Sequence, residues 1–151
     1  MISDLEAMQA ALEQARLAGE AGEVPIGAVV VRESQFIASG QNRVLRDNDP
    51  TAHAEIVALR KAAEAIGNYR LNGCTLYATL EPCAMCAGAM IHARLDRLVF
   101  AAVDPKAGAA GSVLGVINHP QLNHKMEVEQ GILAEESAEL LRSFFRERRS
   151  S

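Results

Sequence analysis

An apolar segment that runs directly into two closely spaced cysteines constrains this chain more than any other feature of its sequence. Residues Thr75 to Leu80 have the pattern of a buried strand, and Glu81-Pro82 then leads into a helix that carries Cys83 and Cys86. Proline suits the first helical position, where a missing N–H costs nothing, so we expect the helix to begin at Pro82. Side chains three residues apart share a helix face, and a helix N-terminus favours thiolates over thiols. The spacing therefore predicts half of a zinc site.

The other half of this metal site is predicted upstream, in the segment Thr51-Ala52-His53-Ala54-Glu55. Thr51 is a good N-cap, which places His53 at the start of a second helix. Where strands and helices alternate in one layer, the helix starts lie at the same end of the sheet, so His53, Cys83 and Cys86 can converge. Three protein ligands leave a fourth tetrahedral position for water, which is the pattern of catalytic zinc. Glu55 lies close enough in the first turn to reach that position.

Zinc and a carboxylate together make water reactive at neutral pH. The pKa of bulk water is about 15.7, far above the pKa of about 4.3 that a glutamate side chain has. Zinc can lower the pKa of a bound water to about 7, which brings proton transfer to Glu55 within reach. We therefore predict hydrolysis by zinc-activated water, with Glu55 as the catalytic residue that moves protons.

Each of these residues taken singly also has a structural interpretation. Cys83 and Cys86 suit small buried positions, Glu55 suits the first turn of a helix, and a histidine is more often a satisfied polar residue than a ligand. The combination of the three features, rather than any one of them, favours the metal site.

Length and composition limit the classes of protein to consider. With 151 residues, 49% of them hydrophobic and 23% charged, the chain is expected to form one globular domain over residues 1–151. No apolar run approaches the roughly 18 to 20 residues of a membrane span, and the N-terminus lacks the pattern of a signal peptide. Three cysteines, an odd number, favour a reducing compartment, so we expect a cytoplasmic protein. The net charge of −4 restricts any contact with nucleic acid to a local basic patch.

Hydrophobic periodicity predicts an α/β domain in which helices alternate with strands and part of the sheet is parallel. A capping box, Ser3 with Glu6, begins the first helix. The second helix is predicted to bury Ile56, Leu59, Ala63 and Ile66 and to end at Gly67, and the last helix to carry Ala138, Leu141 and Phe145 on one face. The remaining predicted elements are strands over Ile26–Val31, Phe36–Ser39, Arg97–Ala102 and Met126–Glu129, and the last helix itself spans about Ala134–Arg148.

The motif residues match a known signature. His53-Ala54-Glu55 with Pro82-Cys83-Ala84-Met85-Cys86 has the H-x-E and P-C-x-x-C pattern of the zinc-dependent nucleoside and nucleobase deaminases. From Gly22 to Arg149 the chain also resembles the bacterial tRNA-specific adenosine deaminases of the cytidine/deoxycytidylate deaminase superfamily. The stretches that carry this resemblance are GEVPIGAVVV (22–31), NDPTAHAEI (48–56), NYRLNGCTLYATLEPCAMCAGAMIHAR (68–94), GAAGS (108–112) and FFRERR (144–149).

This resemblance implies hydrolytic conversion of adenosine to inosine at the wobble position of a tRNA anticodon, with release of ammonia. It implies a three-layer α/β/α sandwich around a mixed five-stranded sheet, as in cytidine deaminases, and a homodimer. One zinc ion per subunit is expected, with the anticodon stem-loop as partner and no organic cofactor.

The resemblance also assigns roles to individual residues. His53, Cys83 and Cys86 correspond to the zinc ligands, and Glu55 corresponds to the proton shuttle. Asn42 corresponds to a residue that contacts the flipped base, and an amide suits the donor–acceptor edge of adenine. The remaining predicted contacts to the anticodon loop are Asp104, Lys106, Phe145 and Arg149.

Two other functions remain open at the level of sequence. A deaminase of a small free base or nucleoside, of guanine or cytosine type, would share all four chemical residues and differ in the loop from Asp104 to Ser112 and in the basic tail. A zinc-stabilised RNA-binding module without catalysis would instead need a fourth protein ligand on the metal.

Overall fold

Five strands form one mixed sheet in the structure, a computed structural model that describes residues 1–150 and the side chains of residues 1–149. The strands lie in the order β2-β1-β3-β4-β5. Strand β1 is antiparallel to both of its neighbours, whereas β3, β4 and β5 are parallel. Their bounds are Gly27–Arg32 for β1, Gln35–Gln41 for β2, Cys74–Leu80 for β3, Arg97–Ala102 for β4 and Glu127–Gln130 for β5.

Helices cover both faces of this sheet, which confirms the three-layer α/β/α architecture. Helices α2 and α3 contact each other on one face, and α1 and α4 lie together on the other. The helices span Asp4–Glu20 for α1, Ala54–Ile66 for α2, Ala84–His92 for α3 and Ala134–Ser150 for α4. Within residues 1–150, no helix has both the length and the apolar character that crossing a membrane requires.

Successive side chains of the central strands point to opposite faces of the sheet, and both faces are covered by helices, so these strands are apolar on both sides. In β1, Val30 packs in the larger apolar cluster beneath α2 and α3, while Val29 and Val31 pack against α1. In β4, Phe100 and Val99 divide between the two clusters in the same way. A continuous apolar run is what a strand buried on both faces requires.

Most predicted elements are confirmed, but the buried side of α2 differs from the prediction. Leu59 is buried, whereas Ile56, Ala63 and Ile66 are only partly buried. Alanines at a spacing of four, Ala54, Ala58 and Ala62, form the fully buried stripe instead. Ala138, Leu141 and Phe145 of the last helix lie on one face as predicted, since all three line one surface groove, in which Phe145 is 46% exposed.

Close packing explains why small residues replace large ones in α2. A Cβ atom on Gly40 in β2 would lie 2.5 Å from the Ala54 carbonyl oxygen and 2.6 Å from the Ala58 nitrogen. On the other face, a Cβ atom on Gly27 in β1 would lie 2.1 Å from the Ala11 carbonyl oxygen of α1. The two glycines therefore let one helix on each face approach the sheet closely, which leaves no room for isoleucine at the contact.

Arg97 at the start of β4 ties α1 to the sheet. Its guanidinium donates to both carboxylate oxygens of Asp4 at 2.8 and 2.7 Å, and it pairs with Glu129 at 2.8 Å. Tyr77 donates to Asp4 at 2.6 Å. The hydrogen bonds from Arg97 lower the pKa of Asp4 to about 2, although partial burial opposes them. Burial and the Asp4 carboxylate together raise the pKa of Tyr77 to about 12.

We expect Asp4→Asn to reduce the free energy of unfolding at pH 7 by about 1 to 2 kcal/mol. Because the pKa of Asp4 is lower in the folded state, its stabilisation is complete above the unfolded value of about 3.9 and is lost as the pH falls towards 2. Urea denaturation of both proteins at several pH values between 7 and 3 measures the difference. Glu13→Gln is the control, since the side chains of Glu13 and Arg16 are 60% and 53% exposed and should contribute less than about 0.5 kcal/mol. A constant difference across this pH range would contradict the assignment.

Candidate metal centre and active site

The direction of the strands brings the predicted site together at one edge of the sheet. Strands β2 and β3 are both antiparallel to β1, so they run in the same direction and their carboxyl ends lie at the same edge. The chain leaves β2 at Gln41 and reaches His53 before α2, and it leaves β3 at Leu80 and reaches Cys83 before α3. The two ligand-bearing helix starts therefore face each other, as predicted.

Three potential ligand atoms meet at this edge. The His53 Nδ1 atom lies 3.7 Å from the Cys83 Sγ atom and 3.6 Å from the Cys86 Sγ atom. A tetrahedral zinc ion, with Zn–S near 2.3 Å and Zn–N near 2.0 to 2.1 Å, separates sulfur and nitrogen ligands by about 3.6 Å. Both nitrogen–sulfur distances thus match those around a tetrahedral zinc ion, and all three ligand atoms lie within 4.8 Å of one another. Within residues 1–150, the group contains His53, Cys83 and Cys86 and no fourth member.

The helix starts differ from the prediction in one respect. His53 and Cys83 are the N-cap residues of α2 and α3, so neither Thr51 nor Pro82 holds the position expected for it. Neither ligand side chain makes the usual capping hydrogen bond to its own helix. Residues at an N-cap usually satisfy the free N–H groups of the first turn, and here the side chains are left for the metal.

Asn42 performs the capping for α2 from outside the helix. Its Oδ1 atom accepts from the Ala54 nitrogen at 2.8 Å, and its Nδ2 atom donates to the Val24 carbonyl at 3.1 Å. Asn42 is buried, so these bonds fix its orientation. The predicted contact of Asn42 with a base remains a prediction, since one amide hydrogen and one lone pair are not used by these two bonds.

The two thiols differ in their protonation. Hydrogen bonds from Cys86 and His53 lower the pKa of Cys83 to about 3. The same contact with Cys83, together with burial and the nearby Glu55, raises the pKa of Cys86. The hydrogen bond to Cys83 also raises the pKa of His53. Cys83 is therefore the thiolate of the group, and binding a metal through both sulfurs would require Cys86 to lose its proton as well.

Glu55 is 4% exposed and lies in the first turn of α2, beside the three ligands. Burial raises its pKa to about 7, with the charge of His53 acting in the opposite direction. Glu55 is not a member of the ligand group. A buried carboxyl group with a pKa near neutrality can both accept and return a proton at physiological pH.

The four other residues predicted to contact RNA line one groove. This groove has a volume of about 1050 Å³ and lies between α4 and the segment that follows β4. Asp104, Lys106, Phe145 and Arg149 all line it, as does Val103, and none of the three ligand residues does. Asp104 also forms a turn, because its carboxylate accepts from the backbone nitrogens of Lys106 at 3.0 Å and Ala107 at 3.2 Å. The structure thus brings these four residues together in one groove.

The arginines between Arg142 and Arg149, here called the basic tail, are partly neutralised by acidic residues of the same helix. Arg142 donates to Glu135 at 2.6 Å and to Glu139 at 2.9 Å, and Arg146 donates to Glu139 at 3.0 Å. Arg148 lies 4.7 Å above the ring of Phe144 and donates to the Gly22 carbonyl. The local positive charge is therefore smaller than the count of arginines in the sequence indicates.

Sequence reasoning missed two buried carboxylates that hold the loops around the site. Glu23 accepts from the backbone nitrogens of Leu45 at 3.1 Å and Arg46 at 2.9 Å. Glu81 accepts from the loop after β4. Burial alone would raise the pKa of both groups, but the hydrogen bonds lower it overall. The only signal in the sequence was an acid within or beside an apolar segment, which does not reveal its partners.

Comparison with known proteins decides the family. The model of the MafB19-like deaminase family matches residues 2–149. The chain is 50% identical to the tRNA-specific adenosine deaminase of Haemophilus influenzae over 97% of this chain and 85% of that protein. It is 44% identical to the enzyme of the same name from Bacillus subtilis over 99% of this chain and 92% of that protein. The chain belongs to the tRNA-specific adenosine deaminase family.

The fold of this chain is similar to solved structures of two kinds of deaminase. A structure from a study of A-to-I editing by tRNA:A34 deaminases superposes with a TM-score of 0.87 at 50% identity, covering 89% of this chain and 98% of that one. A guanine deaminase from Nitrosomonas europaea superposes with a TM-score of 0.83 at 27% identity, covering 95% of this chain and 85% of that one. The fold is thus common to both, while sequence similarity is greater to the tRNA deaminase.

We expect Cys86→Ala to abolish stoichiometric metal binding. Removing one of three ligands leaves two, which cannot hold zinc in the tetrahedral arrangement of a catalytic site. Metal analysis after dialysis should give about one zinc per chain for the unchanged protein and close to none for the variant. Cys74→Ala is the matched control, because Cys74 is equally buried but lies in β3 outside the ligand group. Full zinc content in a folded Cys86→Ala protein would refute the site.

Proposed function

We propose that this protein hydrolyses adenosine to inosine, with release of ammonia, at the wobble position of a tRNA anticodon. The observation that carries the proposal is the group of three ligand atoms beside the buried carboxyl group of Glu55, in a member of the tRNA-specific adenosine deaminase family. We propose that residues 1–151 act as one deaminase domain, located in the cytoplasm.

His53 Nδ1, Cys83 Sγ and Cys86 Sγ would hold one zinc ion. When bound, zinc acts as a Lewis acid that lowers the pKa of a water molecule. The proton transfers are assigned to Glu55, which is buried in the first turn of α2 and is not a member of the ligand group. Glu55 accepts one proton from the attacking water and delivers it to a nitrogen of the purine ring. It then accepts the second proton of that water, once its oxygen is bonded to the ring carbon, and gives it to the amine as the carbon–nitrogen bond breaks. Adenosine and water thereby become inosine and ammonia, and Glu55 returns to its initial state.

The size and lining of the groove support RNA rather than a free base as substrate. Its volume of about 1050 Å³ lies at the upper end of the range for sites that enclose small molecules. Lys106 and Arg149 offer charge for phosphates, and the exposed ring of Phe145 offers a surface on which a base can stack. We propose that the anticodon stem-loop occupies this groove.

A second candidate, deamination of free guanine, is favoured by the similarity of the fold to guanine deaminase. This reaction would use the same ligands and the same glutamate. A non-catalytic zinc-stabilised RNA-binding module is disfavoured by the three-membered ligand group, since a structural zinc site is closed by four protein ligands.

We propose a homodimer that forms through the outer side of α3. This side is made of apolar and small residues, with Ala84 and Met85 exposed and Gly88 and Ala89 partly exposed. Two further apolar side chains that follow β4, Val113 and Leu114, are about half exposed. Exposed apolar residues of this kind are typical of interfaces between subunits.

The proposed function predicts turnover of an adenosine-containing anticodon stem-loop RNA that depends on Glu55. Ammonia and inosine are measured with this RNA and, in parallel, with free adenosine, guanine and cytosine. Glu55→Gln should retain zinc but lose about 10²- to 10⁴-fold in kcat, because the amide cannot carry the proton. Glu64→Gln, an exposed change in the same helix, is the control. Preferred turnover of free guanine, or a Glu55→Gln protein with more than a tenth of normal activity, would overturn the proposal.

If RNA binds in the groove, removing one cation from the groove should reduce the salt dependence of RNA binding by a predictable amount. Lys106→Ala and Arg149→Ala should each weaken stem-loop binding and reduce the slope of log Kd against log salt concentration by roughly one, since each removes one phosphate contact. Binding is measured by fluorescence anisotropy at several salt concentrations. Lys61→Ala, two turns into α2 from its N-terminus, should leave the slope unchanged. Equal slopes for all four proteins would exclude the groove as the RNA site.

A further inference from the structure

The loop that follows β4 is held by one buried side chain. Glu81, 2% exposed, accepts from the backbone nitrogens of Asp104 at 2.9 Å, Ala110 at 3.0 Å and Ser112 at 3.1 Å. The Ser112 hydroxyl donates to the same carboxylate at 2.5 Å. A single side chain thus satisfies four donors spread over residues 104–112, a segment without regular secondary structure.

Packing around this carboxylate is as specific as its hydrogen bonds. A Cβ atom on Gly108 would lie 2.4 Å from the Glu81 Cδ atom and 2.5 Å from either carboxylate oxygen. The Ala109 nitrogen donates to the Pro82 carbonyl at 2.8 Å, next to Glu81 in the chain. The loop therefore encloses the Glu81 side chain closely, and a Cβ atom at position 108 would force the Glu81 carboxylate out of its place.

Glu81 lies close in the chain to a predicted metal ligand and contacts a loop that lines the groove. Glu81 lies two residues before the metal ligand Cys83, at the end of β3. The loop that it holds begins with Asp104 and Lys106, which line the groove. One side chain therefore connects the segment between β3 and the ligand-bearing start of α3 to the loop that lines the groove.

We propose that Glu81 is a positioning residue that fixes the 104–112 loop relative to the metal centre and so sets the alignment of the RNA substrate. This proposal rests on the proposed function for its substrate, but the loop contact itself can be tested without turnover.

A carboxylate is needed at this position because every partner is a donor. An ionised carboxylate only accepts hydrogen bonds and offers about four lone-pair sites, which matches the four donors here. A glutamine of the same size would turn an NH₂ group towards N–H donors and leave at least one buried donor unsatisfied. Glu81→Gln therefore disturbs the loop without removing volume.

We expect Glu81→Gln to release the loop while retaining zinc. In zinc-loaded protein, the amides of Asp104, Ala110 and Ser112 should exchange with solvent at least about tenfold faster, measured by NMR, while amides of β1 keep their rates. With stem-loop RNA, KM should rise roughly tenfold and kcat should change less than about threefold. A residue that only stabilises the fold would lower zinc content or kcat instead.

Gly108→Ala tests the contact between Glu81 and the loop by changing the loop instead of Glu81. It should reproduce both the faster exchange and the raised KM, and the double variant with Glu81→Gln should be little worse than either single change, because both break one contact. Gly115→Ala is the matched control just beyond the 104–112 loop, since a Cβ atom there meets nothing within 4 Å. It should leave exchange and KM unchanged.

The outcomes separate this proposal from the proposed function. Unchanged exchange in Glu81→Gln, or a loss of zinc in proportion to activity, would overturn the role of Glu81. Faster exchange with an unchanged KM would overturn its role in aligning RNA. If the unchanged protein does not deaminate the RNA, the proposed function fails, and stem-loop Kd in place of KM, together with the exchange rates, decides the role of Glu81.

Discussion

The antiparallel pairing of β1 with both β2 and β3 is the constraint on which the rest of this structure depends. It makes β2 and β3 parallel to each other, so that the segments leading to His53 and to Cys83 leave the sheet at one edge. The glycines at Gly27 and Gly40 allow α1 and α2 to lie directly on these strands. His53 and Cys83, which are 30 residues apart in the chain, thereby come together, with 3.7 Å between the His53 Nδ1 atom and the Cys83 Sγ atom.

The loops at this edge are organised by buried polar side chains rather than by an apolar core. Asn42 caps α2 and leaves the side chain of the N-cap residue His53 available for a metal. Glu23 holds the loop before α2, and Glu81 holds the loop after β4. A buried charge is costly unless its hydrogen bonds are satisfied, so these groups specify one arrangement of the loops rather than adding much to overall stability.

Burial controls the charge of Glu55 inside the protein, whereas ion pairs within α4 control the charge at the surface. Inside, burial raises the pKa of Glu55 to about 7, which suits a group that exchanges protons with substrate. At the surface, arginines of α4 pair with Glu135 and Glu139 of the same helix. An acidic protein with a net charge of −4 can therefore present cations to RNA only locally, at positions such as Lys106 and Arg149.

Most of the secondary structure, and the residues of a possible metal site, could be predicted from the sequence. His53, Cys83 and Cys86 have the side-chain types of zinc ligands, and the apolar periodicity located β4 and α1 because it depends only on nearby residues. Three features became visible only in the folded chain: His53 presents Nδ1, His53 and Cys83 stand at N-cap positions, and alanines rather than isoleucines of α2 meet the sheet. The tertiary structure also decided the partners of Glu81, which lie 23 to 31 residues away in the chain. Contacts of this range depend on how the strands are paired, and local sequence patterns carry no information about that pairing.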